Sequence, residues 1–219
     1  MSTADALRLA LQAAASALAL DLRAAQADGL IAYLALLHRW NATYNLTAVR
    51  DPAQMLTQHL ADCLAVMGSL RRQAGPGPYR LLDVGSGGGL PGVVIAVLNP
   101  AVDVTCVDAV GKKAAFVQQV ASELRLPNLR AEHSRVESLK AAPFDVIASR
   151  AFAALPDFVG LTRRHLAGTG MWMAMKGKEP ADELAQLPAD VSVFHVEQLI
   201  VPGLDAQRCL VWMRPNPSL

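Results

Sequence analysis

The chain has 219 residues, 53% hydrophobic, with 20 basic and 19 acidic side chains and a net charge of +1. That length suits one α/β domain with a short helical extension. The charge balance excludes a surface that is basic throughout, so any nucleic-acid contact must come from a local patch.

Cys63, Cys106 and Cys209 lie far apart and show no zinc spacing, so no metal site is expected and the set suits a reducing cytosol. No basic segment precedes an apolar one at the start of the chain. The apolar stretch from Leu30 to Leu37 is well short of the roughly 20 residues that span a bilayer. The expectation is a cytoplasmic monomer without a membrane anchor.

In chain order, residues 4 to 20 read as a helix with apolar Leu7, Leu11, Ala14 and Leu18 on one face. A second helical pattern runs from about Leu22 to Trp40, and a third from about Pro52 to Leu70. Asp51 supplies an N-cap with proline at the first helical position. Gly75-Pro-Gly-Pro78 then interrupts the chain, which places a boundary there: a helical extension over residues 1–74 and a main domain over 75–219.

After it the period changes. Arg80 to Val84 reads as a strand, Pro91 to Leu98 as a helix, Val102 to Val107 as a strand and Lys112 to Leu126 as a helix. Leu129 to Ala131, Phe144 to Ala148 and Gly170 to Met175 supply further strands. The alternation predicts a mostly parallel sheet covered on both faces. Val191 to Ile200 and Cys209 to Met213 read instead as a terminal hairpin, which adds an antiparallel strand.

The chemistry concentrates in Leu81-Leu-Asp-Val-Gly-Ser-Gly-Gly-Gly-Leu-Pro-Gly92, a strand that enters a glycine loop and then a helix. Such a loop brings backbone N–H groups close to a ligand. On its own it is also what a plain strand-to-helix turn looks like. Asp83 is placed to face a cationic group, and Asp108 ends the next strand, where a carboxylate accepts hydrogen bonds from ribose hydroxyls. A dinucleotide fingerprint requires a small residue where this chain has Leu90, and an acid before the first glycine suits a pyrophosphate badly. Adenosylmethionine has no phosphate and carries an ammonium group. Methyl transfer is therefore expected ahead of hydride transfer.

Further motifs in the same order are Trp40-Asn-Ala-Thr-Tyr-Asn-Leu-Thr47, His59-Leu-Ala-Asp62, Asp108-Ala-Val-Gly-Lys112 and Ser134-Arg-Val-Glu137. Ser149-Arg-Ala-Phe152, Lys176-Gly177 and Val201-Pro-Gly-Leu-Asp205 with Arg208 complete the set. Together they resemble the bacterial small-subunit rRNA 7-methylguanosine methyltransferase G family, also called glucose-inhibited division protein B. The resemblance implies a Rossmann-like class I methyltransferase with a mostly parallel seven-stranded sheet, a C-terminal antiparallel strand and an N-terminal helical extension. It implies S-adenosylmethionine as cofactor, with contacts from Gly85, Leu90, Val136, Glu137 and Arg150, joined by Asp108 from the residue argument. It also implies methylation at N7 of one guanine in 16S rRNA (position 527 in the usual rRNA numbering), presented as naked RNA or in the small subunit. Two departures are Cys209, where histidine is expected, and a less basic tail, Pro215 to Leu219.

Guanine N7 carries a free lone pair, so no general base is required and no catalytic residue is named. Ser149-Arg-Ala-Phe152 is not the Asn/Asp-Pro-Pro-Tyr/Phe sequence of many amino-group methyltransferases, and no Pro-Cys pair is present for pyrimidine C5 chemistry. A different RNA site, a small molecule or a non-catalytic assembly role remain as alternatives.

Lys112, Lys176 and Arg208, with Lys113 and Lys178, are candidates for an RNA-phosphate rim, and equally read as solvated charges. His59 and Asp62 could meet on one helix face, the plain reading being an exposed hydrogen bond. Asn41 and Asn45 could simply satisfy turn backbone. Arg150 could pair with Asp145 or Glu137, and Phe152 reads as core rather than as a stacking ring.

Overall fold

The computed structural model describes residues 2–216; the last three residues of the tail noted above lie outside that range. Ser2 caps helix α1 (Thr3–Ala17), its hydroxyl accepting from the Asp5 amide while the Asp5 carboxylate accepts from the Ser2 amide. Helix α2 (Ala24–Tyr44) starts and ends later than its sequence pattern, closing on Asn45 in the left-handed conformation. The predicted third helix is a chain of short pieces: α3 (Pro52–Met55), a π-helical turn (Leu56–Ala61), α4 (Asp62–Ala65) and α5 (Met67–Ala74). Asp51 caps α3 as expected, accepting from the Gln54 amide at 2.9 Å.

Strand and helix then alternate through β1 (Arg80–Val84), α6 (Gly92–Leu98), β2 (Asp103–Asp108), α7 (Gly111–Glu123), β3 (Leu129–His133) and β4 (Phe144–Arg150). Next come α8 (Leu155–Thr162), β5 (Leu166–Lys176), α9 (Ala181–Ala185), β6 (Val191–Leu199) and β7 (Arg208–Pro215). The seven strands form one sheet in the order β3-β2-β1-β4-β5-β7-β6. Pairings from β3 through β5 are parallel, and β7 runs antiparallel to both β5 and β6. The terminal hairpin is thus inserted, with its second strand next to β5 and its first at the edge. The fold is the expected Rossmann-like one.

The two-residue period of the strands divides the core. Leu81, Val146, Met173, Leu210 and Trp212 face a cluster shared with Leu11, Tyr33, Leu37, Met67, Val93 and Phe116 from the helices. Their neighbours Leu82, Ile147, Trp172, Val211 and Met213 face a second cluster with Leu155, Phe158 and Val159 of α8. The early helices therefore pack directly on one face of the sheet. Both fully buried indoles are satisfied: Trp212 donates to Ser69 Oγ at 3.0 Å and Trp172 to Thr162 Oγ1 at 2.9 Å. Among the described residues, no helix is long and apolar enough to cross a membrane.

Candidate functional site

The strand order reverses between β1 and β4, with β2 on one side and β5 on the other. At such a point the connections after neighbouring strands diverge to opposite faces and leave a crevice at the carboxyl ends. The glycine loop lies across this crevice. Gly85 and Ser86 donate their amides to the Val107 carbonyl at 2.9 and 3.2 Å, which lays the loop over the end of β2. Gly85 has φ +64°, and a Cβ there would stand 2.5 Å from the Phe152 ring. That position requires glycine twice over, by conformation and by space.

Asp108, 6% exposed, receives the Gly87 amide on Oδ2 at 3.0 Å and the Val110 amide on Oδ1 at 2.9 Å. Each oxygen keeps a lone pair for a further donor. Lys113 Nζ approaches Oδ2 to 3.8 Å.

Asp83 departs from the sequence expectation. It is fully buried and does not border the crevice; its Oδ2 accepts the Gly92 amide at 2.8 Å, fixing the start of α6. A Cβ at Gly92 would lie 2.5 Å from Cys106 Sγ and 2.9 Å from Asp83 Oδ2, so the close approach explains that glycine. Oδ1 of Asp83 has no hydrogen-bond partner. Burial pushes the carboxyl up to about 7, partly offset by the Gly92 amide.

Two cavities open on either side of Gly85 and Ala151. One, about 380 Å³, is lined by Val107, Asp108, Lys113, Val136, Glu137 and Phe152. The other, about 400 Å³, is lined by His59, Asp62, Leu90, Arg150, Lys176 and Arg208 together with the glycine loop. The first sets Asp108 and Glu137 with Lys113 and Arg135 around apolar Val107, Val136 and Phe152; the second holds Arg150, Lys176 and Arg208 against the single carboxylate of Asp62. All six sequence-derived cofactor candidates border one or the other. Val136 and Leu90 are buried, and Glu137 is exposed at the rim. Phe152 is half-buried, edge-on to Phe158 and lining the first cavity, so it is packed on one side and presented to the crevice on the other.

The candidate RNA contacts separate. Arg208 and Lys176 border the second cavity, whereas Lys112 is exposed on α7 and borders neither. Lys176 donates to the Ala153 carbonyl at 2.9 Å and to Glu183 at 2.7 Å.

His59 and Asp62 are both buried and do not bond to each other, contrary to the exposed pair the helix spacing suggested. The π-helical turn over Leu56–Ala61 interrupts the regular α spacing between them. His59 Nε2 meets Thr47 Oγ1 at 2.9 Å, and burial with the Arg150 charge pushes the imidazole down to about 4. Asp62 accepts from Arg150 Nη1 at 3.1 Å and from Arg208 Nε at 2.7 Å. Arg150 thus pairs with neither Asp145 nor Glu137, the partners considered from sequence. Asn41 bridges turn backbone, receiving the Thr47 amide and donating to the Val49 carbonyl. Asn45 Oδ1 accepts from Arg50.

The arrangement fits a nucleoside-bearing ligand across the loop: glycines that admit close approach, apolar Leu90 and Val136, and Asp108 with spare acceptor capacity. A family model for rRNA small subunit methyltransferase G matches residues 26–211. A ribosomal RNA small subunit methyltransferase G of Leptothrix cholodnii is 64% identical over 206 residues, 94% of each chain. The protein of the same name from Paracidovorax citrulli is 59% identical, over 97% of this chain and 92% of that one. Among solved structures, the 1,6-didemethyltoxoflavin-N1-methyltransferase of Burkholderia thailandensis, with bound S-adenosylhomocysteine, superposes with a TM-score of 0.58 at 17% identity, covering 84% of this chain and 89% of that one. The ribosomal protein L11 methylase of Lactobacillus delbrueckii gives 0.56 at 14% identity, covering 70% and 77%. At those identities the structural likeness concerns the fold alone.

Proposed function

Because the chain belongs to the rRNA small subunit methyltransferase G family, we propose that it methylates N7 of a guanine in the decoding-region loop of 16S rRNA. It is a methyltransferase that uses S-adenosylmethionine and acts on small-subunit rRNA. The observation that supports the finer reading is the pair of cavities that meet at Gly85, one around Asp108 and Val136 and one in which Arg150, Lys176 and Arg208 outnumber the single carboxylate of Asp62.

Asp108 would accept from the ribose hydroxyls, Val136 and Glu137 would border the adenine, and Gly85, Leu90 and Arg150 would complete the cofactor contacts. S-adenosylmethionine, when bound, supplies an electrophilic methyl carbon on a positively charged sulfur. The protein's task is then to orient the acceptor nitrogen behind that carbon and to keep water away. Guanine N7 offers a lone pair without losing a proton, so no side chain has to act as a base. Of the titratable groups in the second cavity, His59 Nε2 is bonded to Thr47, and Asp62 is engaged by two arginines. Lys176 and Arg208 draw the polyanion to the second cavity, while Lys112 stands apart as an outlying phosphate contact. The protein works as a cytoplasmic monomer.

The test is transfer from labelled S-adenosylmethionine to small-subunit particles from a strain lacking this protein, followed by nucleoside mass spectrometry. 7-Methylguanosine mapped to the decoding-region loop is the expected product. Label in another nucleoside, or none in the RNA, rejects the assignment.

A further inference from the structure

Helix α2 rises toward the end of the sheet that carries the crevice. Gln26 in its first turn donates to the Leu98 carbonyl at the foot of α6 at 3.1 Å, whereas Tyr33, about two turns on, reaches the glycine loop that precedes α6. The last turns of α2 carry on past that loop. Helix α7 follows β2 and runs the other way, starting at the crevice end. The two helices meet where Trp40 sets its ring edge-on to Phe116, with centroids 5.5 Å apart.

Residues four apart share one face of a helix. Tyr44, one turn after Trp40, and Lys112, one turn before Phe116, therefore lie on the facing sides of the two helices. Each is one turn nearer the crevice end than the pair that touches. Both are exposed, Tyr44 by 42%. Among the described residues, no hydrogen bond holds the Tyr44 phenol and no carboxylate pairs with Lys112.

The open ring is nevertheless held from behind. Tyr44 lies 5.0 Å from Trp40, Trp40 meets Phe116, and Phe116 lies 6.1 Å from Tyr33, which bonds the Gly88 carbonyl. Four rings thus run from the surface to the glycine loop, and the inner two are fully buried. Cations stand near the outer ring: Lys112 on α7, and Arg50, whose guanidinium donates to Asn45 Oδ1 where α2 ends. A backed aromatic face with cations beside it suits an unpaired base and its phosphate, because every base has a π-face and every nucleotide a charge.

We propose that Tyr44 is a stacking platform for an unpaired base that flanks the target guanine, with Lys112 on the adjoining phosphate. The platform rests on the RNA reading above and adds a contact outside both cavities. It gives Lys112, which borders neither cavity, a place in RNA binding. It takes the face of a base and not its edge, so it accepts any of the four.

The test uses small-subunit particles from a strain lacking this protein. Tyr44→Ala should raise their dissociation constant about tenfold, with a matching rise in KM for the particles. Tm and the affinity for S-adenosylmethionine should stay near wild type, since the ring is exposed and lines neither cavity. Tyr44→Phe, which keeps the π-face and drops the hydroxyl, should bind the particles as wild type does. Lys112→Ala should flatten the slope of log affinity against log salt by about 0.7, one single-strand phosphate contact. Tyr44→Ala should leave that slope unchanged, because the ring carries no charge.

Particle binding by Tyr44→Ala as tight as wild type overturns the proposal, as does an unchanged salt slope in Lys112→Ala. An equal loss in Tyr44→Phe and Tyr44→Ala overturns it by making the hydroxyl the contact. A matching loss of S-adenosylmethionine affinity in Tyr44→Ala overturns it by making the ring a prop for the glycine loop. Wild-type protein that neither binds nor labels the particles rejects the RNA substrate itself, a result read without any variant, and the platform falls with it.

Discussion

The phenol of Tyr33 donates a 2.7 Å hydrogen bond to the carbonyl of Gly88, tying α2 to the glycine loop from outside the sheet. Tyr33 is fully buried, and a Cβ on Gly88 would come within 3.3 Å of Leu37 from the same helix. The N-terminal helices therefore shape the loop as well as covering the sheet. Tyr33→Phe leaves a backbone acceptor unpaired and should cost about 1 kcal/mol, a fall of about 3 °C in Tm. It should also weaken S-adenosylmethionine binding by calorimetry. Unchanged Tm and affinity would mean that the bond does not hold the loop.

Gly85 and Gly87 both have positive φ, but only Gly85 faces the Phe152 ring; nothing lies closer than 3.9 Å to a Cβ at Gly87. Gly87→Ala should carry the conformational strain alone, about 1–2 kcal/mol. Gly85→Ala adds the collision and should lose cofactor affinity by a larger factor, with Phe152→Ala restoring part of it. Equal losses in the two alanine variants would show that Phe152 does not confine the loop.

Asp108 holds two loop amides and retains capacity for a ligand. Asp108→Asn turns one acceptor into a donor facing an N–H group. With about 1.5–3 kcal/mol for a charged hydrogen bond, the cofactor dissociation constant should rise roughly 10- to 100-fold. Retained affinity would remove the ribose role.

Burial pushes the Asp83 carboxyl up to about 7, against an ordinary carboxyl value of 3.8. The folded state then holds the proton more tightly than the unfolded one, so stability from this group is greatest below about pH 4 and declines as pH rises to about 7. His59, lowered to about 4, works in the opposite sense between about pH 4 and 6.5, where stability is lost as pH falls. Asp83→Asn isolates the first effect: it should gain on wild type by about 1.4 kcal/mol per pH unit across that window. Urea unfolding at pH 5 and pH 8 reads this; a pH-independent difference would show that Asp83 is ionised throughout.

The alternation of β1 to β4 with their helices was legible because each element carries its own period and its own punctuation. The glycine loop with Asp108 was legible because local spacing builds it. Helix α8 was missed, although Pro156 in its first turn and apolar Leu155, Phe158 and Val159 mark it. Asp83 was misplaced because spacing reports distance along the chain, while burial decides which way a strand residue faces. The partners of Asp62 had no local signal: β4 and β7 bring Arg150 and Arg208 to it from far along the chain, and regular α geometry, which the π-helical turn does not follow, suggested His59 instead.

The hairpin's arrangement also orders the assembly of the sheet. β6 precedes β7 along the chain but bonds only to it, so β6 cannot join until β7 has seated against β5. Until then β5 presents an open edge, the part of a half-built sheet most prone to pairing with another chain. The strand that seals this edge also delivers Arg208 to Asp62, so the sheet closes and the cationic cavity is armed in the same event. Fraying from that edge would disarm the cleft while the five parallel strands still stood.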